Sequence, residues 1–281
     1  MKDRIITAEG IQAFARALQA EERLPGTREK YLRDLRAFAA WLGEAPVTRE
    51  RAAAWKESLI RRGFAPVTVN SMAAAINKFF TFAGWPECRV KALRIQRRPF
   101  REESRQLTRQ EYDRLLSTAC RQGRTRLALL LEAICATGIR VSEVRYITVE
   151  AARQGSAEIS LKGKIRVILL PDRLRQKLLR YAEKEKIASG EIFLTRSGKS
   201  VSRKQIWAEM KSLCAGAGVA AGKVFPHNLR HLFARTFYRA CRDVVRLADV
   251  LGHSSVETTR IYLAATSAEH ARTLNRLGLI C

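Results

Sequence analysis

Pro226-His227-Asn228-Leu229-Arg230-His231 opens a segment that reads as one helix to Cys241. A spacing of three puts His227 and Arg230 on one helical face. Both lie near a helix N-terminus, where free N–H groups and the dipole favour an anion. His231 falls on the apolar side with Leu232, Phe233 and Phe237, and reads as a hydrogen-bonded core histidine. Two histidines four apart also suit zinc, but the H-E-x-x-H arrangement requires a glutamate that is absent here.

Downstream stands Leu251-Gly252-His253-Ser254-Ser255, with Tyr262 nine residues after His253. Gly252 reads as a helix C-terminal residue and Ser254 or Ser255 as the next N-cap, leaving His253 in a tight connector. Upstream, Ala136-Thr137-Gly138-Ile139-Arg140-Val141-Ser142-Glu143 follows an apolar helix that Gly138 ends. Arg140 and Glu143, three apart, can support one another as an ion pair. Between these clusters, residues 157–161, then Lys162-Gly163-Lys164, then residues 165–170 read as a β-hairpin. A short strand near residues 147–149 is expected to pair with it.

The first hundred residues read as helical, with segments at 8–22, 27–42, 48–62 and 65–83. Tyr31, Leu35, Phe38 and Leu42 recur on one face of a 3.6-residue repeat. Pro25-Gly26, Gly43 and Gly63 supply the breaks, and Thr27 and Thr48 are the expected N-caps. A basic stretch follows, with Arg89, Lys91, Arg94, Arg97, Arg98, Arg101 and Arg105 around Pro99. It reads either as a solvated linker or as a strap laid against phosphates. Further helices are expected at 108–121, 125–136, 142–146, 172–186, 202–215, 227–241, 242–251 and 255–263. The organisation is then 1–88 helical module, 89–106 basic linker and 107–281 mixed domain.

The chain of 281 residues carries 52 Lys plus Arg against 27 Asp plus Glu, a formal charge of +25. With 47% hydrophobic residues it can build a core, so the excess charge points to a polyanionic partner. Nucleic acid comes first and an anionic membrane surface second. No run of 18 apolar residues and no secretory h-region is visible, so neither a membrane span nor a signal is expected. The six cysteines are scattered without C-x-x-C spacing, which argues against a disulfide framework or a zinc site and for a reducing cytoplasm.

Taken in order, the 136–143 segment, the Lys162-Gly163-Lys164-Ile165-Arg166 hairpin, His227-x-x-Arg230-His231, Leu251-Gly252-His253-Ser254 and Tyr262 resemble the catalytic set of the tyrosine recombinases, the phage-integrase family. The resemblance covers residues 107–265, and the N-terminal module looks like that family's SAM-like core-binding domain. It implies a mostly α fold with a small antiparallel β-sheet, the four-helix module and an α+β catalytic domain forming a C-shaped clamp on DNA. It also implies Arg140, Arg230 and His253 as donors to one phosphate, Tyr262 as nucleophile and His227 as general base. Lys162, with Lys164 as competitor, would protonate the leaving 5′-oxygen, and Glu143 would be the accessory acid. Arg94, Arg97, Arg98, Arg101 and Lys164 would hold DNA.

The implied reaction needs no metal, ATP or other cofactor, because one phosphoester replaces another. Guanidinium forks match phosphate geometry, and fixed cationic donors stabilise charge that develops on the phosphate oxygens. The resemblance implies double-stranded recombination sites as partner, a dimer on one site and a tetramer in the synapse. Residues 267–277 would dock on a neighbouring protomer. An accessory DNA-bending or directionality factor, from host or element, is a further partner, with nucleoid association in a bacterial cytoplasm and no membrane. Leu169 and Leu232 depart from the family pattern, where proline and threonine are common. Integration, excision or inversion of a mobile element is the favoured programme and Xer-type dimer resolution the alternative. A type IB topoisomerase-like enzyme and a DNA-binding accessory protein without strand exchange are competing classes.

Overall fold

The computed structural model describes residues 4–95, 105–161, 164–253, 255–263 and 275–276; for Leu161, Lys164 and residues 260–263 it describes the backbone alone. The chain divides into two compact units, Met1–Arg97 and Arg98–Cys281.

The first unit is a four-helix module of α1 (Ala8–Ala20), α2 (Pro25–Leu42), α3 (Arg49–Arg61) and α4 (Pro66–Phe82). Thr7 and Thr48 cap α1 and α3 through their side-chain oxygens. The α2 start corrects the expected Thr27 cap. Pro25 occupies the first helical turn, where its missing N–H costs nothing, so the helix begins before Thr27. The core is aromatic: Phe38 lies 5.0 Å from Trp55 and 5.9 Å from Phe80 between ring centroids. Residues 89–93 belong to this unit rather than to a free linker. Asn77 exchanges hydrogen bonds with the backbone of Val90, and Asn70 with that of Leu93.

The second unit is built around α6 (Thr125–Thr137), buried on nearly all sides because it is apolar on nearly all sides. Around it lie α5 (Arg109–Arg121), α8 (Asp172–Lys184) and α11 (Pro226–Cys241), with α9 (Arg203–Ser212) and the short α10 (Cys214–Ala217) beyond. A capping box of Thr108 and Glu111 starts α5. The hairpin pairs β1 (Ser156–Leu161) with β2 (Lys164–Leu169), antiparallel, in the register Ile159 opposite Arg166. The strand expected near 147–149 does not join it. Thr148 instead forms an isolated bridge with Glu191. Thr148 also caps α7 (Val149–Gln154), a helix hidden in the sequence behind a β-branched pair. Helices α12 (Val244–Leu251) and α13 (Val256–Leu263) follow, and α12 packs on α11 through Ala234, Leu247 and Leu251. Among the described residues no helix is long and apolar enough to cross a membrane.

Candidate active site

Two helix ends and one helix start converge in the second unit. Gly138 closes α6 in the left-handed conformation, φ +66°. A Cβ there would overlap the ring of Phe233 and lie 3.1 Å from Leu251. Glycine therefore serves both the turn and the packing of α6 against α11 and α12. The chain then enters a 3₁₀ turn, Val141–Tyr146, with Arg140 at its cap. Glu143 turns its carboxylate back to accept from the Arg140 backbone N–H at 2.7 Å and from Arg140 Nη1 at 2.9 Å. Glu143 is buried, while the Arg140 side chain remains 42% exposed. Arg140 is thus held from one side and open to an incoming anion on the other.

Pro226 starts α11 at its first helical position, and the first turns carry the histidines and arginine. His227 is exposed. His231 is buried, in agreement with its reading as a core histidine, and its ring stands nearly perpendicular to that of His227, centroids 4.5 Å apart. Asn228 donates to the carbonyls of Arg105 and Lys223, at 2.8 Å each, and so fastens the beginning of the second unit to this helix.

Arg230 is only 1% exposed. A buried guanidinium requires compensation, and two helix C-termini provide it. Arg230 Nη1 donates to the Gly138 carbonyl at the end of α6, and Nη2 to the Leu251 carbonyl at the end of α12, at 2.8 Å. Both carbonyls carry the negative end of a helix dipole. The same Nη2 lies 3.0 Å from His253 Nε2.

His253 follows Gly252, which ends α12 in the left-handed conformation. Its Nδ1 lies 2.8 Å from Thr259 Oγ1. A guanidinium offers no lone pair, so Nε2 accepts from Arg230 and Nδ1 carries the proton that Thr259 receives. Burial, then the positive charges of Arg230, Arg140 and Arg166, push the imidazole down to about 4. Between pH 6.5 and 4 the unfolded chain therefore binds a proton that the folded chain refuses. The DNA-free fold loses stability as pH falls through that window, by about 2 kcal/mol after allowance for solvent screening. Urea titrations at pH 7 and pH 4.5 check this: His253→Asn is expected to remove that part of the slope.

Arg140, Glu143, Arg230 and His253 are thus brought together, with His227 one helical turn before Arg230. Tyr262 lies on α13, the helix that begins three residues after His253, and its side chain is outside the described residues. Lys162, Arg97, Arg98, Arg101 and residues 267–274 and 277 of the docking segment also lie outside them, as does the Lys164 side chain. Arg94 is exposed on the first unit. Among the described residues no three His, Cys, Asp or Glu gather in a way that could hold a metal ion.

Sequence reasoning missed two side chains here. Thr259 sets the His253 tautomer, and Arg166 of β2 donates to Glu143. Strand alternation contained a signal for Arg166. It shares a face with buried Ile168, while Ile165, Val167 and Leu169 point outward, 70%, 60% and 77% exposed. A strand that turns its arginine inward and three of its four apolar residues outward departs from the usual pattern.

Arg140, Arg230 and His253 thus gather cationic and donor groups at the ends of α6 and α12. The chain belongs to the phage integrase family. The family's own description, Phage integrase family, matches residues 105–269, and the Phage integrase N-terminal SAM-like domain matches residues 11–87. Among curated relatives it is 27% identical to the tyrosine recombinase XerA of Pyrococcus furiosus, covering 100% of this chain and 98% of the relative. It is 29% identical to the tyrosine recombinase XerC of Roseiflexus castenholzii, covering 90% and 88%. Among solved structures, the fold is similar to a Tn1549 transposon integrase in complex with transposon right-end DNA, TM-score 0.72 at 18% identity, covering 95% and 99%. A lambda integrase dimer bound to a core site gives TM-score 0.72 at 18% identity, covering 91% and 94%.

Proposed function

We propose that the chain is a site-specific DNA recombinase that cuts and rejoins strands by transesterification. The observation that carries this reading is that Arg230 joins the ends of α6 and α12 and meets His253 there, with Arg140 two residues beyond the end of α6. Arg140 and Arg230 receive the non-bridging oxygens of the scissile phosphate, and the negative charge raises the proton affinity of His253, which then becomes a third donor. Tyr262 Oη forms a bond to phosphorus as the P–O5′ bond breaks. A phenol has a pKa of about 10 and requires help at neutral pH. His227, exposed at the start of α11, takes the phenolic proton. A hairpin lysine, Lys162 or Lys164, gives one to the departing 5′-oxygen. A 5′-hydroxyl from the partner duplex then reverses the steps, and two such exchanges pass through a Holliday junction.

A dimer on each site and a tetramer in the synapse follow from the need for four cuts. A lambda integrase dimer bound to a core site, of the same fold, supports the dimer, and an accessory factor would act on the DNA around the assembly. Inverted sites would produce inversion, and directly repeated sites excision or dimer resolution.

The test uses the full chain and a randomised pool of nicked suicide duplexes. Denaturing gels are expected to reveal a covalent protein–DNA adduct that Tyr262→Phe abolishes, and intact paired sites recovered from the pool should give recombinant junctions. No adduct would overturn the reading. Relaxation of supercoils without junctions would favour a topoisomerase.

A further inference from the structure

Arg166 has no role in the reaction as proposed, yet its side chain is committed at both Nη groups. Its Nη2 donates to Glu143 Oε2 and its Nη1 to the Val250 carbonyl, at 3.2 Å. Glu143 is the residue that holds Arg140, through the backbone N–H and through Nη1. Val250 and Leu251 are consecutive, so the last carbonyls of α12 are taken by two arginines: Val250 by Arg166 and Leu251 by Arg230. Each arginine ties the elbow that presents Arg140 to the helix end that presents His253. Arg230 does so through Gly138, and Arg166 through Glu143.

Gly252 supplies the second observation. A Cβ at Gly252 would overlap the Arg166 Cδ and lie 2.9 Å from Nη1 and 3.1 Å from Nε. The side chain of Arg166 therefore runs through the space that a residue other than glycine would fill. Its Nε is buried without a hydrogen-bond partner among the described residues. Such an unsatisfied donor is costly and calls for a reason.

We propose that Arg166 is a positioning residue: a strut that locks the Glu143–Arg140 elbow to the end of α12, so that Arg140 and His253 face one phosphate together. The inference rests on the recombinase reading. It does not require Arg166 to touch DNA, since both Nη groups are engaged and its side chain is 13% exposed. Loss of the strut leaves every cradle group present but lets two of them drift apart, and misplacement of about 1 Å costs about 100-fold in rate.

The experiment compares wild type, Arg166→Ala, Arg166→Lys and Gly252→Ala on suicide duplexes with either an ordinary scissile phosphate or a neutral methylphosphonate there. On the phosphate, Arg166→Ala is expected to lower single-turnover adduct formation about 30- to 100-fold, with DNA affinity within about twofold of wild type because many other phosphate contacts remain. Gly252→Ala displaces the strut without removing its charge and should fall in the same direction. Arg166→Lys, with one donor group instead of a fork, should fall in between. On the methylphosphonate there is less charge to stabilise, so the gap between variants and wild type should shrink to a few-fold. The same fold-loss on both substrates, or loss of DNA binding in parallel with cleavage, or no loss, would overturn the strut. Where Arg166→Ala fails to fold, the Lys variant is read by the same criteria. If wild type forms no Tyr262-dependent adduct, the recombinase reading itself fails, and the strut with it.

Discussion

Arg230→Ala is expected to lower covalent cleavage by about 10²- to 10³-fold, the usual loss when a fixed donor to a developing oxyanion is removed. The same change should destabilise the fold. It leaves the Gly138 and Leu251 carbonyls, at the ends of α6 and α12, without the donor that satisfies them. Each buried unsatisfied group costs about 1–3 kcal/mol, and the vacated volume adds to this. Arg230→Lys separates the two effects. A lysine keeps a positive charge between the two helix ends but cannot donate to Gly138, Leu251 and a phosphate oxygen in one plane. It should remain folded and still lose about 100-fold in single-turnover adduct formation. Calorimetry beside a quenched time course measures both quantities on the same preparation.

Glu143→Ala is expected to destabilise the fold on a scale comparable to Arg230→Ala. The carboxylate is 4% exposed and carries two guanidiniums, those of Arg140 and Arg166. Removal strands the Arg166 charge in a place that excludes water, at a cost of about 3–5 kcal/mol. For a domain of this size that is about 10 °C in Tm. Glu143→Gln, with the same shape and one acceptor oxygen, should cost less. Burial alone would raise the Glu143 carboxyl, but the Arg140 N–H and the Arg166 and Arg140 guanidiniums outweigh it and hold the carboxyl below its ordinary value. Its contribution is present above the ordinary carboxylate range and is lost as pH falls through the lowered folded value. The acid limb of wild type should flatten in Glu143→Gln.

The sequence made the motif residues visible because each stands beside a local signal. Gly138 and Gly252 mark helix ends, Pro226 a helix start, and the spacing of three joins His227 to Arg230 and Arg140 to Glu143. The termini of α6 and α12 could be read in this way, but their convergence could not. It depends on Phe233 and Leu251 packing over a glycine with no side chain. Arg166 and Val250 are separated by 84 residues, and Arg230 and Gly138 by 92. No period or spacing announces such contacts. The strand expected at 147–149 was a conflict between composition and capping. The β-branched pair Thr148-Val149 favours extension, but the Thr148 hydroxyl satisfies the Ala151 N–H and opens α7 instead. Thr27 misled for a similar reason, since Pro25 had already fixed the helix start two residues earlier.

In the proposed reaction a cradle of side chains, rather than a bound ion, activates one phosphate toward a tyrosine. Mass spectrometry of the trapped adduct after protease and nuclease digestion, formed in the presence of excess EDTA, tests it most directly. A nucleotide phosphoester on Tyr262 is expected, with adduct yield unchanged by the chelator. An adduct on another residue, or its disappearance with EDTA, would contradict it.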